Sequence, residues 1–354
     1  MSDKKIKVLI VEDTLVAQKL LKGLVENDNR FELIGIAQDG KQAIEFVAKL
    51  KPDVVSMDIL MPIMDGVEAT RKIMQDYPVP VVIVSSFYQT SEIDMAMRVL
   101  DAGAVTILPR PYGPGHSKYL QTAKKYLNTL KLMSEIRVIR RKEEKVILTI
   151  QAPKPATQPL SKKPSAKIQA VAIGASAGGP QGLNTILSGL PKNFPLPVFI
   201  VQHIDPHFAE GFALWLNSTS GIPVSIAIEG EKALAGHAYL PPGDHHLTVL
   251  KDGVMSLSKD VPIKGLRPSV DVLFKSLAPV YGKNIIAVLL SGMGKDGAME
   301  MKNLHDLGAF TIAQEENSCL VYGMPGEAVK IGAVSKILSP ENIVIEILNL
   351  TEIL

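Results

Sequence analysis

The chain has 354 residues, 46% hydrophobic and 21% charged, with 38 Lys and Arg against 36 Asp and Glu. This length and polarity predict two globular units with sizeable cores and exclude a disordered chain. The longest unbroken aliphatic run, residues 285–290, is far short of the roughly 18 to 20 residues that cross a bilayer, so direct membrane insertion is excluded as well.

The N-terminal stretch offers no secretory apolar region, because Glu12 and Asp13 interrupt it almost at once, and a cytoplasmic location is the expectation. Residues 6–127 then alternate short β-branched runs with amphipathic segments. KVLIVED, ELIGIAQD, DVVSMDI, PVVIVSS and VTILPRP are predicted strands, and LVAQKLLKGLVEN and KQAIEFVAKL are predicted crossover helices. This βα alternation implies a flavodoxin-like, five-stranded parallel sheet whose function sits at the carboxyl ends of the strands. There the sequence puts Glu12 and Asp13 at the end of the first strand, Asp58 at the end of the third, Ser85 at the end of the fourth, and Arg110 before Pro111 after the fifth. Three carboxylates at one edge repel one another unless a cation sits among them, and their hard oxygens suit Mg²⁺.

VEDT, MDILMPIMDG, Ser85 and Pro111 resemble the two-component receiver domain over about the first 125 residues. The resemblance implies that Asp58 accepts a phosphoryl group from a histidine kinase, that Glu12 and Asp13 with Asp58 hold Mg²⁺, and that Ser85 and Arg110 form the switch. Arg110 stands where that family usually has lysine, replacing a compact ammonium by a planar fork.

The middle of the chain differs in composition. Residues 1–127 are charge-balanced, 128–167 carry net +7, and 168–354 carry net −5. After a continued helical pattern, Pro153, Pro155, Pro159 and Pro164 disfavour helix and sheet, so 128–167 reads as a basic, Pro-rich linker between a domain at 1–127 and another at 168–354.

In the last segment QAVAIGAS leads to Ser176, PLPVFIVQH to His203, and NIIAVLLSGMGKDG to Asp296, with GLNTILSGL and FAEGFALWLN as helices. A doubly wound, mostly parallel α/β domain would bring all three residues to one sheet edge. An antiparallel hairpin is expected in LTVLKDGVMSLSK, with Asp252-Gly253 at its turn and one of His245 and His246 facing outward. Gly174-Ala175-Ser176-Ala177-Gly178 satisfies G-x-S-x-G at a strand-to-helix turn, which suits a hydrolase nucleophile, a dinucleotide site or a purely structural turn. The nucleotide reading expects an acid after the next strand, where this chain has His203. A serine needs a base, and among the six histidines of this unit only His203 ends a strongly apolar strand. A zinc pair of His203 and His207 is disfavoured by Pro206 and the want of a third ligand. Asp296 is the acid that orients the imidazole, an N-cap for the helix that follows, or simply a turn acid. Cys319, the one cysteine, has no disulfide or CxxC partner and reads as a small core residue.

IGASAGGP, VQHI, LRPSVDVLF, LSGMGKDGA and YGMPGEAV resemble the catalytic domain of the chemotaxis protein-glutamate methylesterases, with receiver, linker and catalytic domain in that family's order. The resemblance implies a phosphorylation-regulated esterase acting on methyl-accepting chemotaxis receptors and releasing methanol, with no cofactor for the ester step; deamidation of receptor glutamine is a second activity on the family pattern, which the sequence leaves open. It makes Ser176 the nucleophile, His203 the base and acid, Asp296 the orienting acid, and the backbone at Ala177 and Met293 the oxyanion hole. Ala177 replaces a common threonine and Gly326 a common arginine, while Arg267 is open to a role either in receptor contact or in capping structure. The competing class is a non-enzymatic response regulator with a protein-binding output domain. Nucleic acid is excluded as a partner by the net −5 and by the absence of a DNA-reading motif.

Overall fold

The computed structural model describes residues 4–85, 90–136, 138 and 167–353, with the backbone alone for 90–94. The N-terminal unit runs β1 (Ile6–Val11), α1 (Leu15–Glu26), β2 (Phe31–Ala37), α2 (Gly40–Leu50), β3 (Val54–Met57), α3 (Gly66–Asp76), β4 (Val81–Ser85), α4 (Thr90–Asp101), β5 (Thr106–Pro109) and α5 (Tyr119–Ser134). Its sheet has the order β2-β1-β3-β4-β5 and every pair is parallel. Strands β3 and β4 are buried at every residue, as expected for a sheet covered by helices on both faces. The strand order reverses between β1 and β3, so the residues that follow those two strands flank the crevice where such sheets bind ligands.

The C-terminal unit runs β6 (Ala170–Ala175), α6 (Gly179–Gly189), β7 (Val198–Gln202), α7 (Ala209–Thr219), β8 (Val224–Ile226), β9 (Ala238–Leu240), β10 (His246–Val249), β11 (Met255–Ser258), α8 (Val270–Tyr281), β12 (Ile285–Leu289), α9 (Ala298–Asp306), β13 (Phe310–Gln314), α10 (Met324–Lys330), β14 (Lys336–Leu338) and α11 (Pro340–Leu350). Seven of these strands form one parallel sheet, β14-β13-β12-β6-β7-β9-β8, and β10 and β11 form the antiparallel hairpin. The chain leaves the central strand β6 toward β7 on one side and later returns to β12 on the other, which makes the carboxyl end of β6 the switch point of this sheet. Gly178, at φ +74°, turns the chain from β6 into α6 through the left-handed region that glycine enters without penalty.

Helix α5 continues to Ser134, and Leu130, Met133 and Ile136 are buried with the core of the first unit, so that unit's packing extends past residue 127. The prolines expected to keep the linker extended, in 139–166, lie outside the described residues. The two units are packed together. Helix α4 lies on α6 and α7, and the Gln181 side chain of α6 donates to the carbonyl oxygens of Leu100, at 3.3 Å, and Asp101 at the end of α4. Lys125 of α5 pairs with Asp205 beyond β7. One apolar cluster runs from α5 residues such as Tyr126 and Leu130 to Ala177, Leu320 and Val321, with Met293 against it. Among the described residues, no helix is long and apolar enough to cross a membrane.

Candidate active site and phosphoacceptor site

At the β1/β3 crevice, one carboxylate oxygen each from Glu12, Asp13 and Asp58 lies within 4.8 Å of the others. Glu12 and Asp58 are buried and Asp13 is exposed. Arg110 brings the counter-charge: a single Nη2 donates to Glu12 Oε2 at 2.8 Å and to Asp58 Oδ2 at 2.9 Å. Its Nε is buried without a partner among the described residues. The Ile59 N–H and the Ser85 hydroxyl also donate to Asp58. Even so, burial raises the Asp58 carboxyl above its ordinary range. Burial and the Asp58 charge push Glu12 up to about 7 against the pull of Arg110. One guanidinium does not balance three acids, so the donor set fits a small hard divalent cation, which Glu12, Asp13 and Asp58 would hold.

In the C-terminal unit, Ala175 and Gln202 are register partners across β6 and β7, so Ser176 and His203 leave the sheet as the next neighbouring pair. The buried Gln202 side chain ties the two strand ends together by donating to the carbonyls of Ser176, at 2.9 Å, and of His203, at 3.0 Å. Asp296 arrives differently. It is not a strand-end residue but sits in the loop between β12 and α9, and its Oδ2 meets His203 Nε2 at 2.9 Å. With the carboxylate accepting from Nε2, the proton resides there and Nδ1 is the ring nitrogen free to take one. Among the described residues Ser176 Oγ makes no hydrogen bond to the imidazole, a contact that commonly tightens only when substrate is bound.

Asp296 does not cap the helix that follows it. Gly297 is the N-cap of α9, and Asp296 instead accepts from the Ser269 hydroxyl at 2.8 Å, the Val270 N–H at 2.6 Å and the Asp271 N–H at 3.3 Å, the start of α8. Burial works to raise this carboxyl, but the His203 hydrogen bond and charge, with Ser269 and Val270, hold it below its ordinary range. Across β6, the Ser291 hydroxyl bonds the Ala177 carbonyl and the Ser176 N–H bonds the Ser291 carbonyl, which draws the loop carrying Met293 against the serine turn. Among the described residues the Ala177 and Met293 N–H groups have no place in the backbone hydrogen-bond network.

The other candidates fall outside this constellation. His207 is exposed with its ring on Asp205, and His237, His245 and His305 bond Ser225, the Gly243 carbonyl and Thr311. His246 faces inward and accepts from the Ser269 N–H, while His245 is half-buried. Arg267 resolves toward capping: it binds Asp244 and the carbonyls of Lys259 and Asp260. The missing side chain at Gly326 lets the Tyr322 ring lie against α10, since a Cβ there would meet that ring at 3.0 Å. Cys319 is buried. Sequence reasoning missed Gln202, Ser269 and Asp271. Ser269 and Asp271 stand inside LRPSVDVLF, and the polar SxD step opening an apolar helix was the available signal.

Residues 171–347 match the family model described as CheB methylesterase, and residues 8–118 match the response regulator receiver domain. The chain is 47% identical over 342 residues to a protein-glutamate methylesterase/protein-glutamine glutaminase of Geobacter metallireducens, covering 96% of this chain and 97% of that one. It is 43% identical over 349 residues to the protein of the same description from Nitrosospira multiformis, covering 98% and 97%. The Thermotoga maritima CheB methylesterase catalytic domain superposes with a TM-score of 0.50 at 36% identity, over 53% of this chain and 100% of that one.

Proposed function

The chain belongs to the CheB methylesterase family, and from that premise we propose that it is a receiver-regulated protein-glutamate methylesterase and protein-glutamine glutaminase acting on chemotaxis receptors. The observation that carries the reading is the 2.9 Å His203–Asp296 pair beside Ser176 at the switch point of the sheet. In this reading His203 Nδ1 takes the Ser176 proton as Oγ attacks the glutamyl ester carbon. The N–H groups of Ala177 and Met293 receive the oxyanion, and Asp296 stabilises the imidazolium. His203 then gives its proton to the departing methoxide, releasing methanol, and water repeats the steps in reverse to free the glutamate and Ser176. A glutamine side chain follows the same path with ammonia as leaving group.

Asp58 accepts a phosphoryl group from a histidine kinase, and Mg²⁺ held by Glu12, Asp13 and Asp58 would neutralise the charge of that group. Ser85 and Arg110, both on Asp58, read the change. Kinase and receptor substrate both place the reaction in the cytoplasm. The receiver shares one apolar cluster with Ala177, Leu320 and Val321, with Met293 against it, so in this reading the unphosphorylated receiver obstructs the groove that a receptor side chain would use on the oxyanion side of Ser176. The test is methanol release from methylated receptor, with ammonia release from unmodified receptor as its companion. Wild type should release both and Ser176→Ala neither; substantial methanol release by Ser176→Ala with intact fold would refute the reading.

A further inference from the structure

The acid that orients His203 is itself held by another acid. Asp296 accepts from Ser269, Val270 and Asp271 at the first turn of α8. Asp271 answers from that turn: its Oδ1 accepts from the N–H of Gly297 at 2.9 Å, at the head of α9, and its carboxyl also receives the Glu300 N–H. Asp296 thus takes N–H groups that open α8 and Asp271 takes the one at the head of α9, and the two acids are close enough for the charge of one to raise the carboxyl of the other. Ser269, the N-cap residue of α8, gives its hydroxyl to Asp296 and makes no side-chain cap of its own. If Asp271 served only to start α8, its side chain would not need to span to α9 and fix the residue next to Asp296.

We propose that Asp271 is a positioning residue for the esterase reaction: through Gly297 it fixes the Asp296 carboxylate, and it adds its own negative charge behind the Asp296–His203 pair. The proposal rests on the functional reading above. Of the elements packed on the start of α8, α9 brings the Gly297 and Glu300 N–H groups, with the Glu300 carboxylate turned to Asn303; β10 brings His246 through the Ser269 N–H; the end of β7 brings His203 through Asp296; and β6 carries no titratable residue. On α8 itself Lys275 lies one turn on and is exposed. Burial and the Asp296 charge raise the Asp271 carboxyl above its ordinary range. It therefore ionises closer to neutrality than a surface aspartate, and above that range its charge stands behind the pair in which His203 must act as a base.

The experiment is kcat and KM for methanol release as a function of pH, on the full chain and on Asp271→Asn, Asp271→Ala and Ser176→Ala. Asparagine keeps an oxygen for Gly297 but removes the charge. Its plateau kcat should stay within about threefold of wild type, while the acid limb of kcat/KM, which reports protonation of His203, moves about half a pH unit toward acid. The sign follows because removing a nearby negative charge disfavours the imidazolium. Alanine also loses the Gly297 contact, and kcat should fall about tenfold with KM unchanged. A limb in Asp271→Asn that coincides with wild type, or equal loss in both variants, would overturn the proposal. If the alanine variant does not fold, the limb of the asparagine variant decides alone. Activity retained in Ser176→Ala would instead strike at the esterase reading.

Discussion

At the ends of β1 and β3, three acids gather around one guanidinium, and Glu12 is pushed up to about 7 by burial and by Asp58. Beyond β12, one acid gathers the donors of His203, Ser269, Val270 and Asp271 and is held below its ordinary range. Both sites lie at the carboxyl edge of a parallel sheet beside a reversal of strand order, so topology does not separate them. Compensation does. A switch needs a resting site whose charges are unsettled enough for a cation and a phosphoryl group to rearrange it. A catalyst needs dipoles that are already in place when charge develops, because reorienting them during the reaction would add to the barrier.

The sharpest way to break the comparison is at the settled site. His203→Ala should reduce methanol release nearly as far as Ser176→Ala, because without the base the hydroxyl is not activated. The double variant should lose little more than either single one, since members of such a unit act together. Additive losses, measured as kcat at saturating receptor, would mean that the two residues work in separate steps and that the site is less integrated than its hydrogen bonds imply.

Much of this was legible in the chain because strands flanked by turn residues announce themselves. β1, β3, β6 and β7 are dense β-branched or aliphatic runs, and each releases a polar residue at its end. The three-residue strands β8 and β9 were not legible, being too short to show a period. Asp296 could be singled out from the chain, but its surroundings could not: its partners at 269–271 lie 25 to 27 positions earlier, and capping across two helices leaves no local pattern. The contacts of Lys125 and Gln181 were hidden for a related reason, since a surface lysine and a first-turn glutamine look ordinary until the other unit packs against them.

The next largest effect concerns the tie between the two sites. Removing residues 1–138 uncovers Ala177, Met293, Leu320 and Val321 and should raise basal esterase activity above that of the unphosphorylated full chain, with no further response to a small-molecule phosphodonor. Tenfold activation corresponds to about 1.4 kcal/mol between the packed and open arrangements, and the phosphoryl group can supply it only by interacting differently with the two. Asp58→Asn should likewise be unresponsive and carry no base-labile label. Equal rates for the full and shortened chains under all conditions would show that the receiver does not obstruct the groove.

A smaller effect sharpens the account of the unsettled site. Arg110 Nη2 occupies the space between Glu12 and Asp58 that a divalent cation would share. Arg110→Ala should therefore bind Mg²⁺ several-fold more tightly in calorimetric titration of the full chain, because a competing positive charge has gone. Weaker binding would mean that the guanidinium organises the carboxylates for the metal instead of competing with it.

The smallest effect is expected where the units are joined by charge alone. Lys125 is half-exposed and reaches the buried carboxylate of Asp205, which Lys125 and His207 together hold below its ordinary range against the effect of burial. A pair with one partner in solvent contributes at most about 1 kcal/mol, so Lys125→Ala should raise the basal rate of the unphosphorylated chain by no more than about fivefold. The gain should shrink as salt is added, since screening already weakens the pair in the parent protein. Asp205→Asn should give a similar gain, because an amide oxygen still accepts from Lys125 but no longer attracts its charge. A basal rate unchanged by either variant, with phosphodonor response intact, would assign the packed arrangement to the apolar cluster and to Gln181 rather than to this ion pair.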